Sequence, residues 1–247
     1  MVSGPPQPLD GHVPGSGPWI MAMRWHDLLF AHWRVSVETL RPLVPETFEI
    51  ETFGGSAWLG IVPFRMSGVR PRVLPPVPGI SAFSEVNVRT YVSFHGHHGV
   101  WFLSLDAGDR LAVEVARLVF RLPYYRAEMA CTPEQDGWVT YTSRRTDRRG
   151  PDASFAGRYR PTGPAEPAQP GSRAHFLTVR DGLWAVGRGG KPAWVGIRHA
   201  AWPLQRAELE IKAQTLSAAA GVELVGQPDD LWFSRRLDVV AWRPVHV

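Results

Sequence analysis

The chain has 247 residues, of which 44% are hydrophobic and 20% are charged, and its formal net charge at pH 7 is +4. This length can bury a full core without disulfide or metal staples, and β-rich chains of this size often form one domain. The one cysteine, Cys131, excludes an internal disulfide and a cysteine-rich metal site. No run approaches the roughly 18 apolar residues of a membrane-spanning helix, so we expect no membrane partner.

The first 18 residues are rich in proline and glycine and lack the apolar core of a signal peptide. They indicate a flexible lead-in before a single domain over residues 19–247, in a cytoplasmic protein. The basic residues are nearly all arginines, and they are scattered along the chain. This scatter argues against a nucleic-acid partner, which usually binds a clustered basic surface.

Few helices are predicted. Ser36 is placed to cap a short helix that Pro45 ends. Asp109 caps the clearest helix, over residues 110–120. Its apolar stripe is formed by Leu111, Val115, Leu118 and Val119. A further small helix is predicted near residues 213–220.

Most other periodic segments are typical of strands, because short apolar or alternating runs are separated by turns that contain glycine or proline. The predicted strands are residues 48–52, 56–66, 83–94, 100–105, 125–131, 138–144, 154–160, 184–186, 194–199, 206–211 and 235–242. Residues 21–32 are too short to assign by periodicity, and the proline-rich residues 70–79 and 161–172 are predicted to be irregular. Many strands and few helices indicate a mainly β (α+β) fold with one large barrel-like or sandwich sheet.

The strand over residues 83–94 carries the strongest polar pattern. Alternation places Val86 and Val88 on one face, and it places four polar residues on the other. Those four are Glu85, Asn87, Arg89 and Tyr91. Charged residues on an otherwise apolar strand indicate either a ligand site or a buried Glu85–Arg89 ion pair that fixes the strand register. The pattern alone favours neither reading.

Five segments in fixed order carry a resemblance to a known family. They are residues 24–33 (RWHDLLFAHW), 85–92 (EVNVRTYV), 99–106 (GVWFLSLD), 122–125 (LPYY) and 202–205 (WPLQ). Together they resemble the DUF2071 (YqjF-like) family, and the resemblance covers nearly the whole chain. That family is similar to a branch of the acetoacetate-decarboxylase-like superfamily, which implies a cone-shaped antiparallel β-barrel with a few short helices around a ligand cavity. One stretch departs from the family pattern, since His175-Phe176-Leu177 is followed by Thr178-Val179-Arg180-Asp181.

The resemblance also bears on chemistry. The decarboxylases form a Schiff base with a lysine in a Pro-Lys-Lys element, and the matching positions here are Pro123, Tyr124 and Tyr125. A phenol cannot form an iminium ion. The two lysines of the chain, Lys191 and Lys212, lie elsewhere in the sequence. We therefore predict a protein without Schiff-base decarboxylation.

The candidate site combines the polar strand face with residues that lie in or beside the family segments. Predicted catalytic residues are Glu85, Arg89 and Tyr125. Predicted ligand-binding residues are Trp25, His32, Asn87, Tyr91, Tyr124, His199 and Trp202. Arg24 is a second arginine that could bind a carboxylate in place of Arg89.

The leading hypothesis is a cavity that binds a small organic acid or carbonyl compound, with non-covalent acid/base chemistry. The alternative is a non-catalytic structural or interaction protein that keeps the barrel and plugs its cavity with tryptophans. No cofactor or metal is predicted, because the cluster of His95, His97 and His98 is interpreted as an exposed turn. Homo-oligomerisation is compatible with the sequence.

Overall fold

The computed structural model describes residues 17–76 and 81–247. All but the last two residues of the predicted lead-in lie outside this range, as does the end of the proline-rich segment at residues 70–79. The strands are β1 (Met21–Val35), β2 (Glu49–Ile50), β3 (Ala57–Pro71), β4 (Phe83–Phe94), β5 (His97–Ala107), β6 (Tyr124–Pro133), β7 (Val139–Arg145), β8 (Ser154–Glu166), β9 (Gly182–Val186), β10 (Pro192–His199), β11 (Leu204–Gln214), β12 (Asp230–Ala241) and β13 (Val245–His246). The α-helices are α1 (Val37–Leu40), α2 (Arg110–Val119), α3 (Arg173–Thr178) and α4 (Leu216–Ala219).

The described strands form one sheet in the order β13-β10-β9-β5-β6-β7-β8-β11-β12-β1-β3-β4-β2. Two further pairings, β4–β5 and β10–β12, turn this sheet back on itself. Some junctions are short, because β11 meets β12 and β5 meets β9 through two residue pairs each. The fold is therefore the predicted mainly β, barrel-like architecture with partial closure. The antiparallel prediction is wrong at β5, which runs parallel to both β6 and β9.

The central strands β1, β3 and β4 bury both of their faces. On one face Leu29, Ile61 and Val88 pack in a core that β7 and β8 complete. On the opposite face Phe30 and Phe64 pack in a second core with side chains from α3 and β12. A fully buried phenylalanine stabilises a fold by about 1.5–3 kcal/mol. Strands buried on both faces leave little room for polar side chains, so those that are present call for an explanation.

The prediction that the proline-rich residues 161–172 are irregular is wrong up to Glu166. β8 continues to Glu166, through Pro161 and Pro164. Its pairing with β7 ends at Tyr159, whereas its pairing with β11 continues beyond that residue. This end of β8 is therefore an edge, and an edge strand tolerates residues that lack a backbone N–H. The helix α3 after it was not predicted.

Helix α2 confirms the predicted capping but not a buried apolar face. The Asp109 side chain accepts a hydrogen bond from the Ala112 N–H at 2.7 Å. Val113 is the buried residue of the helix, while Leu118 is 82% exposed. The other residues of the predicted stripe, Leu111, Val115 and Val119, are exposed as well. No helix among the described residues has the length and hydropathy needed to cross a membrane.

Candidate functional site

The polar face predicted for β4 is present and buried. Glu85 and Asn87 are each 3% exposed, and Tyr91 is fully buried. Val86 and Val88 pack in the opposite core, so the predicted alternation is confirmed. We call the side of β1, β3 and β4 that carries Glu85 the Glu85 face.

Glu85 is held by a neutral partner. The Tyr124 hydroxyl, at the start of β6, donates a hydrogen bond to Glu85 Oε2 at 2.8 Å. Burial raises the pKa of Glu85 to about 7, and the hydrogen bonds from Tyr124 and Asn87 only partly oppose this. The same burial, together with the Glu85 charge, raises the pKa of Tyr124 well above 10. At neutral pH the pair thus comprises a phenol that stays protonated and a carboxyl that can lose or take up a proton.

Arg89 follows on the same face, and it does not form the predicted alternative ion pair with Glu85. No carboxylate among the described residues lies within ion-pair distance of its guanidinium. The Arg89 guanidinium instead lies near two aromatic rings, 5.1 Å from the Phe30 centroid and 5.8 Å from the Tyr91 centroid. Arg89 Nε is buried without a hydrogen-bond partner in the described part of the chain. A buried carboxyl and a half-buried cation therefore share one face without neutralising each other.

His32 reaches the same face from β1. Its Nε2 atom lies 2.6 Å from the Tyr91 hydroxyl oxygen, and that hydroxyl donates to the Leu177 carbonyl oxygen at 2.5 Å. Burial, with a smaller contribution from the Arg89 charge, holds the pKa of His32 well below 6.5. The imidazole is accordingly neutral at physiological pH.

Aromatic side chains line the rest of the Glu85 face. Trp25 stacks on Trp202 with ring centroids 5.8 Å apart, and Trp202 meets Phe30 edge-on at 4.9 Å. His199 contacts Trp202 at 4.9 Å, and its Nδ1 atom binds the Ala200 carbonyl oxygen. The indole N–H groups of Trp25 and Trp202 are buried and have no partner among the described residues. These two donors are left unsatisfied by the described residues, which is unusual for buried polar groups.

A kink at Asp27 brings Trp25 and His32 onto one side of β1. They lie seven positions apart, so strict alternation would place them on opposite faces. Asp27 has a positive φ of 50°, and the β1–β3 register shifts by one residue between His26 and Ala31. Asp27 is buried, and its carboxylate binds Arg65 at 2.9 Å and Arg235 at 3.1 Å. The two arginines offset the cost of this unusual backbone.

Tyr125 does not join the other predicted site residues. Adjacent residues of a strand point to opposite faces, so Tyr124 contacts Glu85 while Tyr125 lies on the other side of β6. There the Arg145 guanidinium lies 4.1 Å from the Tyr125 ring centroid, and Arg145 forms an ion pair with Asp106. Arg24 is also elsewhere, in an exposed ion pair with Asp238 at 2.6 Å.

Arg180 is a site residue that sequence reasoning missed. Its side chain is 10% exposed, and its guanidinium lies 4.9 Å from the Tyr91 ring centroid and 4.7 Å from that of Phe176. One carboxylate, Glu51, lies 3.3 Å away, yet Arg180 Nε and Nη2 have no hydrogen-bond partner in the described residues. Arg180 lies within the stretch that departs from the family pattern after Leu177, and this departure was the available signal. Arg89 and Arg180 thus both place a guanidinium near the Tyr91 ring, at 5.8 Å and 4.9 Å from its centroid.

A surface cavity of about 510 Å³ lies at the fork where β6 and β9 diverge from β5. Its lining comprises Leu43, Trp101, Phe102, Leu103, Arg117, Arg121, Leu122, Pro123, Trp184, Ala185, Val186 and Ala220. None of these is a predicted site residue. The buried ionisable side chains of the Glu85 face therefore do not line this cavity. We take the Glu85 face as the candidate site.

Residues 22–238 match the model of the DUF2071 family, described as an uncharacterized conserved protein. The uncharacterized protein YqjF of Bacillus subtilis is 41% identical over 226 residues, which cover 92% of each chain. The chain belongs to the DUF2071 family.

Solved structures place this DUF2071 protein on the acetoacetate-decarboxylase-like fold. An acetoacetate decarboxylase superposes with a TM-score of 0.62 at 13% identity, covering 94% of this chain and 90% of that one. The enduracididine biosynthesis enzyme MppR, in complex with pyruvate, gives 0.61 at 10% identity, covering 94% and 91%. Identities this low establish the fold alone. Both lysines of the DUF2071 chain, Lys191 and Lys212, have exposed side chains, so neither lies on the buried Glu85 face.

Proposed function

We propose that this protein binds a small organic acid that also carries a carbonyl group, and that it acts on the ligand by non-covalent acid/base chemistry. The observation that carries the proposal is a pair of charged groups without a counter-ion on one face of β4, the buried Glu85 and the half-buried Arg89. A structural protein gains little from such an arrangement, because desolvating a charge that has no partner is unfavourable. A ligand carboxylate supplies the partner that Arg89 lacks.

Each group has a distinct role. Arg89 binds the ligand carboxylate, and the indole N–H groups of Trp25 and Trp202 supply neutral donors. Glu85, with a pKa of about 7, removes a proton from the carbon next to the carbonyl and returns it. Tyr124 remains protonated and hydrogen-bonds either Glu85 or the ligand oxygen. This chemistry needs no lysine.

Ligand binding is tested first. A thermal-shift panel compares short 2-oxo and 3-oxo acids with their uncharged amides, in the wild type, in Arg89→Gln and in the control Arg24→Gln. We expect the acids alone to stabilise the wild type, by about 2.7 kcal/mol at one hundred times the dissociation constant. The shift should vanish in R89Q and persist in R24Q, whose arginine is exposed. Equal shifts from acids and amides, or none from any compound, would falsify the proposal.

Acid/base chemistry has its own measurement. In D₂O, an acid that binds should exchange the hydrogens next to its carbonyl group for deuterium. Proton NMR measures this exchange as the loss of their signals. The exchange rate should rise with pH through about 7, because Glu85 must be ionised to accept a proton. Glu85→Gln should bind the acid and lose the exchange. Binding without exchange in the wild type would leave a binding protein and remove the catalytic part.

The non-catalytic alternative also has an observation in its favour. Trp202 stacks on Trp25 and packs against Phe30, so aromatic rings fill part of the Glu85 face. If that face is only a core, Arg89→Gln should change the stability of the protein and leave every ligand shift absent. The thermal-shift panel separates the two readings, since it requires a carboxylate-dependent effect in the wild type.

A further inference from the structure

The hydrogen bonds of the Tyr91 hydroxyl determine the tautomer of His32. The Tyr91 hydroxyl has one proton, and it donates that proton to the Leu177 carbonyl oxygen at 2.5 Å. Toward His32 Nε2, at 2.6 Å, the same oxygen can therefore only accept. Nε2 must carry the ring hydrogen, which leaves Nδ1 as a bare acceptor.

This acceptor is buried and unused. His32 is 0% exposed, and its Nδ1 atom has no hydrogen-bond partner among the described residues. Burial and the nearby Arg89 charge keep the pKa of the ring well below 6.5, so the ring does not gain a second proton at neutral pH. A buried acceptor without a donor is unfavourable, and native proteins rarely retain one without a reason.

His32 lies in a row with the cation of the proposed site. His32 on β1 is paired with Gly60 on β3, and Gly60 is paired with Arg89 on β4. A Cβ atom on Gly60 would lie 2.9 Å from His32 Nε2 and 3.3 Å from Arg89 Cγ. Because Gly60 has no side chain, the Nε2–Cδ2 edge of the imidazole and the stem of Arg89 both lie over it. One of them offers an unused acceptor and the other an unused donor.

We propose that His32 determines the specificity of the site by accepting, at Nδ1, a hydrogen bond from a hydroxyl group of the ligand whose carboxylate Arg89 binds. The preferred ligands are then hydroxy acids, including the enol form of an oxo acid. The inference rests on the proposed function, because it takes the carboxylate at Arg89 as given. Tyr91 is a positioning residue here, since it holds the ring through Nε2.

The test uses matched acids that differ by one hydroxyl group: lactate with propionate, and 3-hydroxybutyrate with butyrate. Calorimetric titration of the wild type should show about tenfold tighter binding of each hydroxy acid, the usual size of one well-made hydrogen bond. His32→Phe keeps a ring of similar shape without an acceptor, so the preference should fall to about one while both acids still bind. His32→Asn places an amide oxygen near the position of Nδ1 and should restore part of the preference.

A second measurement does not depend on any variant. Nitrogen-15 NMR of the wild type should show Nε2 protonated and Nδ1 unprotonated at neutral pH, with the Nδ1 signal shifting when lactate binds and not when propionate binds. A protonated Nδ1, or equal affinity for both members of each pair, overturns the role of His32. If the acids then still require Arg89, the proposed function stands. If no acid binds at all, both proposals fall.

Discussion

Two buried carboxyl groups on neighbouring strands of the sheet differ in the charge of their partners. Glu85 on β4 and Asp106 on β5 are both buried, and burial raises the pKa of each, to about 7 and about 6. Asp106 faces Arg145, which is buried with it and approaches to 2.8 Å. Glu85 faces the neutral Tyr124.

Asp106 has a cationic partner in Arg145, whereas no cation among the described residues lies within ion-pair distance of Glu85. Arg145 binds both carboxylate oxygens of Asp106 through Nε and donates to the Pro151 carbonyl oxygen, while its guanidinium lies over the Tyr125 ring. A compensated pair of this kind fixes the register of strands and needs no ligand. Burial therefore does not by itself mark a functional carboxyl. The informative sign is burial without a charged partner.

The largest effect should come from breaking the compensated pair. Arg145→Ala leaves Asp106 buried without its cation, which typically costs about 3–5 kcal/mol. Denaturant unfolding at pH 8 should show this loss. The loss should be smaller at pH 5, because the Asp106 carboxyl, with a pKa of about 6 even beside Arg145, is then protonated and uncharged.

The neighbouring arginine is a matched control. Arg144 forms an ion pair with Glu128 in which both side chains are about two-thirds exposed, at 67% and 68%. Arg144→Ala should cost less than about 1 kcal/mol, because solvent screens an exposed pair. Similar losses in R144A and R145A would contradict the view that Asp106–Arg145 is the structural pair.

An intermediate effect is expected at Glu85, with the opposite sign. Folding raises the pKa of Glu85 from 4.5 to about 7, so between these values the folded chain binds more protons than the unfolded chain. Stability should therefore fall as pH rises through this window, by about 3 kcal/mol in the limit of full burial. Glu85→Gln removes the penalty and should be more stable than the wild type above pH 7, and nearly equal to it near pH 4.

Urea unfolding of both proteins from pH 4 to pH 9 provides the measurement. The contribution of Asp106 is common to both and cancels in the difference. Glu128→Gln is the control, since Glu128 is exposed and solvent screens its charge, so this substitution should change stability by less than about 1 kcal/mol. A Glu85→Gln variant that is less stable at pH 8 would mean that the carboxylate has a partner after all, and the comparison with Asp106 would lose its basis.

Much of the fold could be predicted from the sequence because its signals are local. The Glu85–Tyr91 alternation and the Asp109 cap each depend on a few adjacent residues, and both are found in the structure. The family segments supplied the architecture, including the barrel-like sheet. The same alternation of residues predicts the polar face of β4 without any information on the neighbouring strands.

The rest of the site depends on relations that no local pattern contains. The choice between Tyr124 and Tyr125 required the phase of β6 relative to β4, and the odd spacing of Trp25 and His32 required the kink at Asp27. Arg180 reaches Tyr91 only because α3 precedes it and turns the chain toward β4. Strand phase, bulges and packing of short helices are set by tertiary contacts.

The smallest effect should appear at Glu51, where compensation is shared and partly exposed. Its carboxylate binds both Arg180 and the mostly exposed His98, whose pKa is raised by the hydrogen bond to Glu51. A raised histidine pKa contributes stability that is fully present below pH 6.5 and is lost as pH rises through the folded value. His98→Gln should therefore cost less than about 1 kcal/mol at pH 5.5 and nothing at pH 8.5, because solvent screens the pair.

An NMR titration of His98 checks the cause as well as the size. Its pKa should lie above 6.5 in the wild type and return toward 6.5 in Glu51→Gln. The same substitution removes the ion pair between Glu51 and Arg180, so Arg180 then resembles Arg89. If acids bind more tightly to E51Q, the uncompensated cation is what attracts them. If their affinity is unchanged, Arg89 alone provides the carboxylate contact, and Arg180 serves to hold the Tyr91 ring in place.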